Sequence, residues 1–240
     1  MNTIIQYLKL PFSFNADVML QEVNALQENW LMHYNTQDYC GEWKAIPMRS
    51  VDGNTNNAAI MHDGASRYED TVYLQMCHAI KSAVNSFQCE KTSVRVLNLR
   101  PGAMVKEHTD PGLSYEEGEV RIHIPLCTNE GVEFYIQEDA LFPKPGECWY
   151  MNFELKHRLS NNGFTDRIHL VIDCVVNDWV CQLFESTAVT DCKKIPKPAL
   201  FSVEEELRII EQLQQQGSPT ALQIASNMKA ILHNRKSHGK

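Results

Sequence analysis

The stretch from Val94 to Val175 constrains the fold more than any other part of the sequence, because it alternates short apolar segments with turn residues. Val94–Leu99 is rich in β-branched residues, which favour strands. Glu119–Leu126 and Arg167–Val175 alternate between two faces with the two-residue period of a strand. Proline and glycine residues between such segments are typical of tight turns. The sequence therefore predicts a mainly β protein with flanking helices.

A His-x-Asp tripeptide and a distant histidine lie within this stretch. His108 and Asp110 are two positions apart, so in an extended chain their side chains point to the same side. His157 can add a third ligand. Two imidazoles and one carboxylate suit Fe(II) and leave coordination positions open for an oxygenase reaction. Taken alone, the tripeptide is more typical of a hydrogen-bonded turn, and only its combination with His157 and Arg167 favours a metal site.

Arg167 follows His157 by ten residues and begins a predicted strand. Its planar guanidinium can bind a carboxylate through two parallel hydrogen bonds. We therefore expect Arg167 to hold the far carboxylate of 2-oxoglutarate while the keto acid end chelates the metal. His169 shares a strand face with Arg167, and it either orients the cosubstrate or packs as a structural histidine.

Arg121 and His123 share one face of the strand Glu119–Leu126, opposite Ile122 and Ile124. Burying these two polar side chains without partners would cost a few kcal/mol. A bound anionic cosubstrate would satisfy them. The alternative is an ion pair with a neighbouring strand.

Several further segments, together with these residues, give the chain a family resemblance. They are Glu119–Pro125, Thr128-Asn129, Gly146–Tyr150, His157, Asn161-Asn162 and Arg167–Asp173. With these segments the chain resembles the aspartyl/asparaginyl β-hydroxylase family, and within it the bacterial hydroxylases of free amino acids. The resemblance is close over residues 90–180 and looser before them.

This resemblance implies a double-stranded β-helix, the cupin-like jelly roll, and a dioxygenase that uses Fe(II), 2-oxoglutarate and O2. It gives the ligand role to His108, Asp110 and His157, and the cosubstrate role to Arg167 and His123. One branch of the family lacks the carboxylate ligand. Asp110 is present here, so the chain resembles the branch with the full triad.

Charge and hydropathy exclude other classes of partner. A formal net charge of −8 without a basic cluster disfavours nucleic acid as a partner. No run of apolar residues is long enough for a membrane span. The amino-terminal residues show no basic segment followed by a long apolar core, so we expect no secretory signal. The eight cysteines lack the spacing of a disulfide framework and are expected to be reduced. We therefore expect a cytoplasmic protein.

The residues before 94 are predicted to form a strand over 4–10 and helices over about 15–32 and 69–87. Between the helices, a strand over 42–50 precedes a polar loop. The loop continues through 63–67, which is a candidate lid. By the resemblance, Arg49 lies near the substrate mouth and is a candidate partner for an amino-acid carboxylate. The alternative is a solvated arginine at the end of a strand.

The composition changes after about residue 186. We predict a dioxygenase domain over 1–185 and a proline-stiffened linker over 186–200, followed by a helical hairpin over 201–240. Ser202-x-x-Glu205 is a capping box, and Ser218-Pro219 is a second helix start. The hairpin has apolar residues that can pack on the β domain, bind a partner or make a homo-oligomer.

These observations predict a 2-oxoglutarate-dependent dioxygenase that hydroxylates an unactivated C–H bond of a free amino acid or small carboxylated metabolite. Arg121 and Arg49 are the candidate anchors for the substrate carboxylate. Two alternatives stay open. The first is a hydroxylase of a peptide or protein side chain, and the second is a cupin-like metal-binding protein without oxygenase activity.

Overall fold

The computed structural model describes residues 3–61, 67–187, 192–196 and 203–238. The strands are β1 (Thr3–Ser13), β2 (Leu31–Met32), β3 (Tyr39–Cys40), β4 (Trp43–Val51), β5 (Tyr68–Asp70), β6 (Lys91–Leu99), β7 (Met104–His108), β8 (Glu119–Cys127), β9 (Val132–Ile136), β10 (Asp139–Leu141), β11 (Glu147–Met151), β12 (His157–Asn161), β13 (Arg167–Val175) and β14 (Cys192–Pro196). The helices are α1 (Ala16–Asn24), α2 (Val72–Met76), α3 (His78–Asn85), α4 (Asp178–Thr187), α5 (Val203–Gln216) and α6 (Pro219–His238). The candidate lid over 63–67 lies outside these residues, except for Arg67.

The described strands form two sheets. The large sheet has the order β14-β1-β11-β8-β13-β6-β4-β2, with β5 paired to β4, and the small sheet has the order β10-β9-β12-β7-β3. From β6 to β13 the chain alternates between the sheets, because β6, β8, β11 and β13 belong to the large sheet and β7, β9, β10 and β12 to the small one. This alternation of antiparallel strands is the double-stranded β-helix, and the predicted fold class is confirmed.

The inner faces of the two sheets pack against each other. Leu99 and Met151 of the large sheet share an apolar cluster with Val105, Phe134 and Leu159 of the small sheet. Because side chains alternate along a strand, every second residue of β8 and β13 enters the space between the sheets. The site residues described below occupy these inner positions.

The outer face of the large sheet is covered by helices. Ile122 of β8 and Ile172 of β13 belong to a cluster that includes Met19 of α1, Ile80 of α3 and Phe184 of α4. This leaves Arg121 and His123, like Arg167, His169 and Asp173, on the opposite, inner face. The faces predicted for these two strands are confirmed.

The first predicted helix is shorter than the sequence indicates. It begins after Asn15, whose side chain accepts a hydrogen bond from the Val18 backbone N–H at 3.1 Å, but it ends at Asn24. Leu31 then pairs with Ala45 as a strand. Pairing with a distant segment therefore ends the helix where local periodicity would continue it.

The second predicted helix, over 69–87, is interrupted in two places. Its first residues form β5, in which Asp70 pairs with Arg49 of β4. The Thr71 hydroxyl contacts the backbone oxygens of Pro47 and Met48 at 2.9 and 3.0 Å, and Cys77 leaves the helical conformation between α2 and α3. The apolar spacing alone did not reveal these contacts.

Two compact units divide the chain at Ile195 and Pro196. Part of the predicted linker forms β14, which pairs with β1 at the edge of the large sheet. In the second unit, α5 and α6 contact each other, and Ser218 caps α6 by accepting a hydrogen bond from the Ala221 N–H at 3.2 Å. Within the described residues, no helix is both long and apolar enough to cross a membrane.

Candidate metal centre

Two of the predicted ligands face each other on neighbouring strands of the small sheet. His108 at the end of β7 is the cross-strand partner of His157 at the start of β12. Their ring centroids are 4.2 Å apart. Antiparallel pairing brings directly opposed side chains close together, so the register of these strands places both imidazoles at one site.

Both imidazoles are held in the same way. The Nδ1 of His108 lies 2.8 Å from the backbone oxygen of Lys106, and the Nδ1 of His157 lies 2.9 Å from that of Leu155. A carbonyl oxygen only accepts, so each Nδ1 carries the hydrogen and donates it. Each Nε2 is then left with its lone pair for a metal ion, which is the usual arrangement of metal-binding histidines.

Asp110 follows β7 and completes the triad. Its backbone N–H donates to the Phe153 oxygen at 2.8 Å, and its Oδ1 lies 3.8 Å from the Nε2 of His108. One ligand atom each from His108, Asp110 and His157 lies within 4.8 Å of the others. This set of two imidazoles and one carboxylate fits a non-haem Fe(II) site with open positions.

The protonation states also suit a cation. Burial raises the pKa of Asp110, but the charge of Arg121 and the two triad histidines outweigh this effect and lower it overall. Burial lowers the pKa of His157 to about 4. At neutral pH, Asp110 is therefore ionised and His157 is neutral, as metal ligands must be.

A buried network of charged side chains positions the carboxylate of Asp110. Arg121 donates from Nη1 to the Oδ2 of Asp110 at 2.7 Å. The same guanidinium donates from Nε and Nη2 to the two carboxylate oxygens of Asp173, at 2.6 and 3.1 Å. Arg95 donates from Nη2 to Asp173 at 3.4 Å. Two carboxylates thus balance two arginines, and one oxygen of Asp110 is left to face the histidines.

Arg167 lies on the same strand as Asp173, but no carboxylate contacts it in the described part of the chain. Its side chain is 2% exposed, and its Nη2 donates to the Nδ1 of His169 at 2.9 Å. Its Nε has no partner among the described residues. Burial lowers the pKa of Arg167 and keeps the pKa of His169 well below its usual value. His169 is therefore the neutral acceptor that holds this guanidinium.

His123 lies beside this pair. Its Nδ1 is 3.4 Å from the Nδ1 of His169, and its buried Nε2 has no partner among the described residues. Burial and the charge of Arg167 lower its pKa well below the usual value. His123 is therefore neutral, and its Nε2 is free to bond to a ligand.

A small cavity joins these groups. Its lining includes the whole triad, together with Arg121, His123 and Arg167, and its volume is about 50 Å³. The structure thus brings together six of the residues that the sequence singled out. It does not bring Arg49 to them.

Arg49 is engaged elsewhere. Its guanidinium donates to Asp70 at 2.6 Å, to the Tyr68 oxygen at 2.6 Å and to the Lys91 oxygen at 2.9 Å. It does not line the triad cavity. These contacts join β4, β5 and β6, so Arg49 has local partners, and its role as a substrate anchor stays a prediction.

Trp43 and Arg95 are site residues that the sequence analysis missed. Trp43 lines the triad cavity and stacks on His33 with ring centroids 3.6 Å apart. Its buried Nε1 has no partner within the described part of the chain. Arg95 is 2% exposed in the middle of β6, between the buried residues Val94 and Val96. A single arginine between two valines in such a strand is a signal that could have identified it.

A model of the family described as Aspartyl/Asparaginyl beta-hydroxylase matches residues 13–176. The chain is 26% identical over 168 residues to the L-proline cis-4-hydroxylase of Rhizobium meliloti (strain 1021), a match that covers 69% of this chain and 54% of that protein. The chain therefore spans about half the length of this curated relative.

Two solved structures resemble this chain with TM-scores just under 0.5. An oxidoreductase of the 2OG-Fe(II) oxygenase family from Burkholderia pseudomallei is 14% identical with a TM-score of 0.48, over 72% of this chain and 88% of that chain. A prolyl hydroxylase from Trichoplax adhaerens, solved with a peptide fragment of hypoxia inducible factor, is 13% identical with a TM-score of 0.47, over 74% of this chain and 86% of that chain.

Proposed function

Because this chain belongs to the aspartyl/asparaginyl β-hydroxylase family, we propose that it is an Fe(II)- and 2-oxoglutarate-dependent dioxygenase that hydroxylates a free amino acid or a similarly small carboxylated metabolite. One observation carries the proposal. A triad with metal-ligand geometry shares a cavity with a buried arginine that no carboxylate contacts in the described residues.

His108, Asp110 and His157 would hold the ferrous ion. When bound together with 2-oxoglutarate and O2, such an ion supplies the oxidation of an unactivated C–H bond, coupled to decarboxylation of the cosubstrate to succinate. The protein's own contribution to the metal is orientation. The backbone oxygens of Lys106 and Leu155 fix the two imidazoles, and Arg121 fixes the carboxylate.

Arg167 would bind the far carboxylate of 2-oxoglutarate. An unpaired guanidinium in a buried site is costly, and a carboxylate with two oxygens matches its donors. His169 holds the guanidinium in place from one side. The Nε2 of His123 has no partner among the described residues, which supports its proposed part in cosubstrate binding, since the tautomer with hydrogen on Nε2 would donate to a carboxylate oxygen.

Arg121 has two roles in this proposal. Three of its five N–H groups are engaged by Asp110 and Asp173, so its first role is to position the ligand Asp110. The remaining donors support its second role, as an anchor for the substrate carboxylate at the triad.

A small substrate is supported by the relative, and the walls of the triad cavity suit the reaction. The relative is named for hydroxylation of L-proline, a free amino acid. The triad cavity is about 50 Å³ and is walled by Trp43, Phe134 and Phe153, and such apolar side chains exclude water from the reacting atoms.

Succinate formation tests the proposal. The protein with added Fe(II), ascorbate and 2-oxoglutarate is screened against the twenty amino acids and related acids. We expect one or a few of them to stimulate succinate release, and we expect His157→Ala to abolish both tight Fe(II) binding and turnover. Stimulation only by peptides would favour a protein side chain as the substrate, and unchanged turnover in His157→Ala would remove the metal assignment.

A further inference from the structure

A second cavity approaches Arg167 from a different direction. It has a volume of about 350 Å³, and Arg167 and His169 contribute to its lining. Its outer part is formed by the loop after β8, with Thr128 and Glu130, and by the loop after β10, with Lys144. We call this space the Arg167 cavity.

The Arg167 cavity adjoins the triad cavity and extends away from the triad. On β13, Asp173 pairs with Arg121 near the triad, whereas Arg167 pairs with Leu99 at the other end. These two residues are six positions apart, which corresponds to about 20 Å of strand. Lys144 and Glu130 are exposed, so the Arg167 cavity reaches solvent at the end away from the triad.

Two side chains connect the cavities. Arg167 and Phe134 line both of them, and the Arg167 guanidinium carbon lies 5.5 Å from the centre of the Phe134 ring. The side chain of Phe134 therefore lies between the triad and the Arg167 cavity.

The Arg167 cavity has room for a dicarboxylate. The triad cavity, at about 50 Å³, has room on the order of a few water molecules. The volume of the Arg167 cavity, about 350 Å³, is much larger than the 50 Å³ of the triad cavity. Its apolar walls include Val132 and Leu141, which suit a methylene chain, and its inner end has the guanidinium without a carboxylate partner.

We propose that the Arg167 cavity is the port by which the dicarboxylate cosubstrate enters and leaves, whereas the substrate to be oxidised reaches the metal from the triad end. This inference rests on the proposed function. The cosubstrate passes Lys144 at the rim, binds Arg167 through its far carboxylate, and extends its keto acid past Phe134 to the triad.

Charged side chains at the rim of the port should affect the association rate of the cosubstrate. Lys144 attracts a dianion and Glu130 repels it, so the two side chains act in opposite directions. A charge at the entrance alters mainly the association rate, and salt screens this effect. Lys156 provides the matched control, because it is an exposed lysine beside His157, at the triad end, where it pairs with Glu107 at 3.4 Å.

Stopped-flow binding of 2-oxoglutarate to the anaerobic Fe(II)-loaded protein tests the proposal without turnover. The visible charge-transfer band of the α-keto acid chelate reports binding. In Thr128→Trp, which narrows the port, we expect the association and dissociation rates to fall together by about tenfold or more, with Kd changed less than about threefold. A barrier on the route changes both rates, whereas a lost contact would change Kd.

Variants that change only the charge at the rim test the proposal even if Thr128→Trp does not fold. At low salt we expect Lys144→Glu to slow association by about threefold to tenfold and Glu130→Gln to speed it, and we expect both effects to shrink at high salt. Lys156→Glu makes the same change in net charge at the other end, and its effect should be smaller.

The opposite results overturn the proposal. These are an unchanged association rate in folded Thr128→Trp, or a larger slowing in Lys156→Glu than in Lys144→Glu. The proposed function fails separately, if 2-oxoglutarate does not bind to the Fe(II)-loaded wild-type protein at all, and the port fails with it. If the wild type binds 2-oxoglutarate and turns over, but the rim substitutions do not change the association and dissociation rates of 2-oxoglutarate, the proposed port alone is rejected.

Discussion

Arg121 and Arg167 are both buried on the inner face of the large sheet, yet their surroundings differ. Arg121 contacts two carboxylates, those of Asp110 and Asp173. Arg167 has a neutral histidine as its hydrogen-bond partner, and its Nε is unpaired in the part of the chain that the structure describes. Burial disfavours the charge of both, but nearby carboxylates raise the pKa of Arg121 overall, whereas burial lowers that of Arg167.

The difference separates structural charges from charges that await a ligand. A buried cation costs several kcal/mol unless an anion compensates it. At the triad end, protein carboxylates compensate Arg121, so this network can be complete before any ligand arrives. At the other end, compensation has to come from outside the described chain. The two ends should therefore respond differently to mutation, and the following predictions are ordered from the largest effect to the smallest.

Asp173→Asn should have the largest effect. The change keeps the side-chain shape but leaves Arg121 and Arg95 buried without their shared carboxylate, and breaking such a pair costs about 3–5 kcal/mol. Chemical denaturation of the metal-free protein measures the free energy of unfolding. Fe(II) affinity should fall as well, by about 10–100-fold, since Arg121 would no longer be fixed behind Asp110. A loss of less than about 1 kcal/mol in the free energy of unfolding would contradict the claim that Asp173 compensates the buried charges of Arg121 and Arg95.

Arg167→Met should weaken cosubstrate binding without destabilising the metal-free protein. The loss of charge-assisted hydrogen bonds corresponds to about 1.5–3 kcal/mol of binding free energy. The free energy of unfolding should stay the same or rise, because an uncompensated buried charge is removed. Titration of 2-oxoglutarate and denaturation of the same samples check both parts. Arg100→Met, at an exposed arginine, is the control and should leave cosubstrate affinity unchanged.

Mild acid should destabilise the metal-free protein through its buried histidines. Burial lowers the pKa of His33 to about 2 and that of His157 to about 4 from an ordinary value of 6.5, and it holds those of His123 and His169 well below that value. Between about pH 6.5 and pH 4 the unfolded state thus binds more protons, so stability is complete above this window and is lost as the pH falls through it. Each histidine contributes up to about 1.4 kcal/mol per pH unit.

Denaturation at pH 7, 6 and 5 checks this dependence. His33→Phe removes one of the titrating groups and should flatten the slope by up to one proton. A stability that is constant from pH 7 to pH 5 would contradict the neutral, buried state of these histidines.

Glu107→Gln should have the smallest effect. Glu107 is exposed and pairs with Lys156 and Arg158 at 3.4 and 3.3 Å. Exposed ion pairs contribute about 0.2–1 kcal/mol, because water screens them. A stability loss comparable to that of Asp173→Asn would mean that burial does not determine how much an ion pair contributes to the stability of this protein.

Local periodicity was enough to predict the strands and their faces. The two-residue alternation placed Arg121 and His123 together on one face of β8, and Arg167, His169 and Asp173 together on one face of β13. In the structure both sets lie on the inner face of the large sheet. The triad spacing also pointed to a single site, and the three ligand atoms do converge. These features depend on residues close in sequence or on a motif with chemical meaning.

Partners set by distant pairing could not be predicted. Asp173 lies opposite Arg121 only because β13 and β8 adopt a particular register, and Arg49 contacts Asp70 because β5 forms where a helix was expected. The missed Arg95 is in the same class, since its partner is on another strand. Oligomerisation through α5 and α6 and a cytoplasmic location stay predictions.

The most direct test of the account compares 2-oxoglutarate with 2-oxobutyrate, which has the same α-keto acid but no second carboxylate. Both are titrated anaerobically into Fe(II)-loaded wild-type protein and into Arg167→Met. We predict that the wild type prefers 2-oxoglutarate by about 10–100-fold, as expected for 1.5–3 kcal/mol, and that Arg167→Met binds the two within about twofold. An equally strong preference in Arg167→Met would contradict the claim that the unpaired buried arginine is the site of the second carboxylate.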